Sequence, residues 1–143
     1  MIAALESCSM QLTQDVLWGD LDAYGHVNNT VYFRYFEDYR MAFFEQAGVG
    51  EIKQSSNLGP ILAHAECNFR LPLQYPDRIR IAGHARLLAP KKIQMDCLVY
   101  SEAMDAIAAE LQGLLLYYDY NVGRTCEVPE AIAKVIRQLD SNR

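Results

Sequence analysis

Asp22 stands seven positions ahead of Asn29, and Gly25-His26-Val27-Asn28-Asn29 leads directly into an aromatic segment with helical spacing. A helix start carries about half a positive charge and several N–H groups without intrahelical acceptors, so it can receive negative charge developing on a carbonyl oxygen under attack. One such donor is worth about 10²- to 10³-fold in rate. The backbone N–H of Asn29, or an immediate neighbour, is the expected donor. With a reference pKa of about 3.9, Asp22 is ionised at neutral pH unless burial raises that value. A carboxylate so placed can attack the carbonyl carbon to form an anhydride, or orient and deprotonate a water. Both routes stay open. Gly25, His26, Asn28 and Thr30 complete the expected binding set. His26 reads either as a general base titrating near neutrality or as a ring that fixes the loop while its backbone lines the site.

Positioning this segment requires a helix after it and a sheet around that helix. Tyr32, Tyr35, Phe36, Tyr39, Phe43 and Ala47 recur at threes and fours, which predicts a helix over 30–47 with Asn28 or Asn29 as N-cap and Gly48 just past its end. Phe33, Met41 and Phe44 widen its apolar surface beyond one stripe, so something large must wrap it. Glu37 and Asp38 read as a solvated helix edge. Over 61–71, Ile61, Ala63, Ala65, Cys67, Phe69 and Leu71 alternate with polar residues, predicting a strand with one buried face. Proline-bearing turns then separate strands over 79–87 and 93–99, and the run 106–120, apolar on both faces, reads as the central strand. A segment over 12–18 makes a fifth strand, residues 51–59 a polar loop, and 128–139 a short helix with Pro129 at its first position. Short links between strands suit antiparallel pairing. The expected class is α+β, one domain over 1–143, with a five-stranded antiparallel sheet around one long helix.

Formal net charge is −5, so the overall field opposes nucleic acid and anionic lipid, and a phosphorylated ligand needs a local basic patch. Cys8, Cys67, Cys97 and Cys126 lie far apart without a CxxC pair and read as buried thiols; His64 and His84 have no ligand spacing, so no metal is expected. The first ten residues lack a basic start and a long apolar run, and no stretch reaches the roughly 20 apolar residues of a membrane span, which together favour the cytoplasm.

The stretch WGDLDAYGHVNNTVYFRYFEDYR, residues 18–40, resembles the 4-hydroxybenzoyl-CoA thioesterase-like branch of the hotdog fold. The resemblance implies an acyl-CoA thioesterase in which Asp22 is the catalytic carboxylate and the amide at Asn29 the oxyanion donor. It also implies that Arg86, Lys91 and Lys92 contact coenzyme A, although Ile93 stands where many relatives have a small hydroxyl residue. No cofactor is implied beyond the coenzyme A of the substrate. Relatives pair edge to edge as homodimers, often doubled to tetramers, for which Leu98, Tyr100, Leu114, Leu116 and Tyr118 offer a second contact. One branch of the fold uses a helix carboxylate as its base, a role open to Glu37 or Asp38. Two other readings share the fold. A hotdog hydratase or dehydratase spaces its aspartate and histidine five apart, whereas Asp22 and His26 are four apart; a noncatalytic acyl-CoA-binding module gains nothing from Asp22.

Overall fold

The long helix α2 spans Asn29–Ala47. Asn28 caps it, its side chain accepting the Thr30 N–H, and Gly48 ends it in the left-handed conformation at φ 85°. These termini fall where the cap residues put them. Tyr35, Phe36, Tyr39 and Phe43 are buried along its length against the sheet. The structure, a computed structural model, describes residues 3–141.

The strands are β1 Met10–Asp15, β2 Leu58–Phe69, β3 Arg78–Ala89, β4 Lys92–Ser101, β5 Ala106–Asp119 and the two-residue β6 Arg124–Thr125. Their antiparallel order is β1-β3-β4-β5-β2, with β6 attached to β5, and the sheet curls around α2 as the hotdog reading expects. The middle position belongs to β4, and β5 lies between it and β2. Both faces of β5 are nonetheless largely covered, which accounts for its unbroken apolar run. A 3-10 turn, Trp18–Asp20, occupies the end of the segment expected to extend the first strand. Residues 51–59 are mostly helical rather than a loop: α3, Val49–Ser56, follows α2 directly after Gly48 and ends at Asn57, also left-handed. A short α1, Ala3–Glu6, and a C-terminal α4, Glu130–Ser141, complete the chain, with Ile132, Ala133 and Ile136 of α4 buried.

Strand β2 departs from simple alternation. Its register against β5 slips between Leu62 and His64, so Leu62 lies opposite Leu115 while Ala65 lies opposite Gly113. The extra residue changes the parity of everything before it. Leu62 therefore sits on the helix side, where its Cδ1 comes within 3.5 Å of a Cβ built on Gly113, and Ile61 takes the outer face, opposite the half-buried Leu116. The same Cβ would meet the Phe36 ring at 2.8 Å, so Gly113 is the gap that lets the helix approach the sheet.

On the outer face, Leu5 of α1 closes over Ala82 and Tyr100 with Cys8 packed beside them. Part of the surface expected for contacts between copies is thus covered by the chain itself. Among the cysteines only Cys97 is buried; Cys8, Cys67 and Cys126 are half-buried.

Candidate active site

Residues 21–27 form a pinched loop. Leu21 bridges Val27, the Asp22 N–H donates to His26 O at 2.9 Å, and the Gly25 N–H donates to Asp22 O at 3.0 Å. Gly25 is at φ 81°, a left-handed value that lets the chain reverse within this span. The Val27 N–H donates to Leu73 O at 2.9 Å, tying the loop to the segment after β2.

This pinch brings Asp22 to the border of one cleft with Asn29, the first residue of α2. One carboxylate oxygen, Oδ1, accepts the Tyr24 N–H at 2.8 Å, and the second has no partner among the described residues. At the helix start the Asn28 N–H goes to Asp20 O, the Thr30 N–H to Asn28 Oδ1 and the Val31 N–H to Asn28 O. The Asn29 N–H is left without an acceptor among the described residues. Asp22 and Asn29 border one open cleft of about 340 Å³, lined also by His26, Val27, Tyr32, Phe69, Arg70, Leu71 and Pro72. A residue with an unpartnered carboxylate oxygen and a helix-start residue whose amide has no acceptor among the described residues thus border one space. That is the arrangement needed to attack a carbonyl and hold its oxyanion.

Neighbouring groups also hold the loop and the helix start in place. The Thr30 hydroxyl donates to Asn28 Oδ1 at 3.0 Å, so Thr30 reinforces the cap. His26, itself at the cleft, has Nε2 3.4 Å from Gln74 Nε2, linking the loop to the segment after β2. Asp20 is not solvated: its side chain is 14% exposed and ion-paired to Arg34 at 2.6 Å, a hydrogen bond that raises the Arg34 pKa. Asp38 accepts from Gln14 Nε2 at 3.0 Å, whereas Glu37 is exposed.

The far wall, Phe69 to Pro72, is invisible to motif reasoning because its closeness to Asp22 is tertiary. Tyr32 was legible only as a core aromatic. Its hydroxyl accepts the Leu73 N–H at 3.3 Å, and burial raises its pKa.

Arg86, Lys91 and Lys92 are exposed around the β3–β4 hairpin, with Arg86 reaching Gln94 at 3.5 Å. They are not brought to this cleft within one copy. Lys92 pairs with Leu116 of β5, whereas Phe69 at the cleft pairs with Ala109, seven residues further along that strand and about 23 Å away at roughly 3.3 Å per residue. A larger hollow of about 660 Å³, lined by Met41, Phe44, Val49, Lys53, Pro60 and Tyr120 among others, also lies at the far end, beside the start of β2. One of about 790 Å³ lies beside Trp18 and Tyr75. Volume alone would favour either, but neither contains Asp22 or the start of α2. Among the described residues, no three histidine, cysteine or acidic side chains stand together as a metal site would require.

Sheet, helix and cleft together define a hotdog-fold enzyme of the class that hydrolyses thioesters. The chain belongs to the thioesterase-like superfamily, whose model matches residues 16–136. A Thermus thermophilus thioesterase, solved in complex with coenzyme A and Zn, is 27% identical, with 95% of this chain and 98% of that one covered at a TM-score of 0.81. Two further structures, each 15% identical, speak to the fold. One is a 1,4-dihydroxy-2-naphthoyl-CoA thioesterase from Synechocystis, with a TM-score of 0.81 over 91% of this chain and 96% of that one. The other is a Staphylococcus aureus protein in complex with CoA, with a TM-score of 0.88 over 93% and 84%. No helix among the described residues is long and apolar enough to cross a membrane.

Proposed function

We propose that the protein hydrolyses an acyl-CoA thioester to the free acid and coenzyme A, with Asp22 as the working carboxylate and the Asn29 N–H as oxyanion donor. The observation that carries this reading is that Asp22, whose second carboxylate oxygen has no partner among the described residues, and Asn29, whose N–H has no acceptor among them, border the same cleft. In one route Asp22 takes a proton from water as the oxygen bonds to the thioester carbon. In the other it bonds to that carbon itself, and water then cleaves the anhydride. Either way the carbon–sulfur bond breaks, the thiolate leaves, and a proton returns to it. Coenzyme A enters with the substrate, so the reaction needs no metal or redox cofactor. His26, next to Gln74, is read as fixing the loop.

The basic residues at the far hairpin fit this reading only if copies pair. Strand β2 is a 12-residue edge with one side unpaired. Antiparallel pairing of two such edges sets the start of one β2 beside the end of the other, carrying Arg86, Lys91, Lys92 and the 660 Å³ hollow of one copy toward the cleft of its neighbour. The working enzyme is then a homodimer at least, placed in the cytoplasm, with no membrane or nucleic acid partner.

The test is release of free thiol from a panel of acyl-CoAs by wild type and Asp22→Asn. A loss of several orders of magnitude in kcat with retained acyl-CoA binding is expected. Equal rates would remove Asp22 from its role.

A further inference from the structure

Arg40 is 7% exposed, and its guanidinium lies over the Phe36 ring, 4.6 Å from the centroid. It forms no ion pair or side-chain hydrogen bond with any described residue. A largely covered cation without a counter-ion carries a desolvation cost, which lowers its pKa, and a ring face offsets only part of that cost. Glu37, one turn earlier on the same helix, is exposed and near enough to favour the charged guanidinium, yet makes no salt bridge with it. No described residue of the same chain pairs with it, so an anion brought by a second molecule would offset that cost.

The layout of α2 indicates where from. The helix runs antiparallel to β2: the Tyr32 ring meets Phe69 at 5.1 Å, Phe36 presses on Gly113 beside Leu62, and Phe44 shares a hollow with Pro60. The middle of the β2 edge, at Ala63 and His64, therefore lies near the level of residues 36 to 40 of α2. A two-fold axis pairing the full edge with that of a second copy passes through this middle and sets the two helices side by side, antiparallel, crossing at that level. Every contact in such an interface occurs twice. Phe33 and Met41, exposed on the same side of α2 as Glu37, supply apolar surface for the contact.

We propose that two copies joined along β2 lock together through reciprocal ion pairs, Arg40 of each copy with Glu37 of the other. The proposal rests on the paired edges described above and not on the chemistry of Asp22. The two charges complement each other, sit within one turn of the helix, and form no salt bridge with each other within a single chain.

Charge reversal with mixing tests it. Wild type is expected to sediment as a dimer, and Glu37→Lys and Arg40→Glu are each expected to self-associate on the order of 100-fold more weakly, because each places like charges across the axis. Mixed one to one, the two variants should form a heterodimer visible by native mass spectrometry. A pair confined to one chain would produce no such rescue. If Arg40→Glu fails to fold, Glu37→Lys, at an exposed position, still decides the matter, with far-UV circular dichroism confirming its fold. A monomeric wild type, a Glu37→Lys dimer of unchanged affinity, or two folded variants that do not combine would each overturn the proposal. Thiol release by wild type is read separately, so failure of the ion pair and failure of the thioesterase reading are distinguishable.

Discussion

The hydroxyl of Tyr32 accepts a hydrogen bond from the backbone N–H of Leu73 at 3.3 Å, joining α2 to the segment that forms the far wall of the cleft. Both residues are buried, so no solvent can replace the bond. Tyr32→Phe leaves a buried N–H unsatisfied and should lower stability by about 1–3 kcal/mol, read from urea unfolding. A loosened wall should also raise KM more than it lowers kcat. A variant as stable as wild type would show that the bond is not what holds the wall.

Asn28 holds the start of α2 through Thr30. Asn28→Ala removes that cap and should cost about 1 kcal/mol. It also frees the Thr30 N–H beside Asn29, so kcat should fall through disorder of the helix start. Asn28→Ser or Asn28→Asp, which can cap in the same way, should restore most of the stability; failure of both would argue against the cap.

If the far hairpin of one copy serves the cleft of another, replacing both Lys91 and Lys92 with glutamate should raise KM for acyl-CoA about tenfold or more and leave kcat nearly unchanged. A short thioester lacking the nucleotide portion should be hydrolysed as before. Equal KM values for acyl-CoA before and after substitution would exclude these lysines from the contact.

Burial raises the hydroxyl pKa of Tyr32, Tyr35, Tyr39 and Tyr117, that of Tyr117 to about 12. Below the ordinary tyrosine value of about 10 these phenols are neutral in folded and unfolded chains alike, so stability does not depend on them there. Above it the unfolded chain releases protons that the folded chain keeps, and stability falls as pH rises, by up to about 1.4 kcal/mol per tyrosine per unit. Urea midpoints should decline steeply from about pH 10 upward. A midpoint unchanged through pH 11 would contradict this burial.

The parts of this molecule that the sequence made legible are those whose signals are local. The cap at Asn28, the glycine at position 48 and the aromatic spacing between them placed α2 to within a residue. The 12–18 segment was harder, because nothing in it marks the 3-10 turn at Trp18. Alternation in β2 is visible in the sequence but its parity before Ala63 is not, since a bulge is a property of two paired strands and not of one. The α3 segment passed for a loop because Gly48, Gly50 and its polar residues hide one short helical face. In the site, Asp22 and Asn29 were legible because a few residues of one loop bring them together. Phe69 to Pro72 were not, since about fifty residues intervene, nor was the separation of Lys91 and Lys92 from the cleft, which only strand order reveals.

The tucked position of Leu5 over Ala82 and Tyr100 limits how larger assemblies can be built. The back of the sheet arrives already upholstered on the side of β3 and β4, so a dimer of dimers stacked through that surface must avoid it or displace α1. Leu114, Leu116 and Tyr118, half-exposed on β5 and away from this cover, form the ground on which such stacking is left to happen.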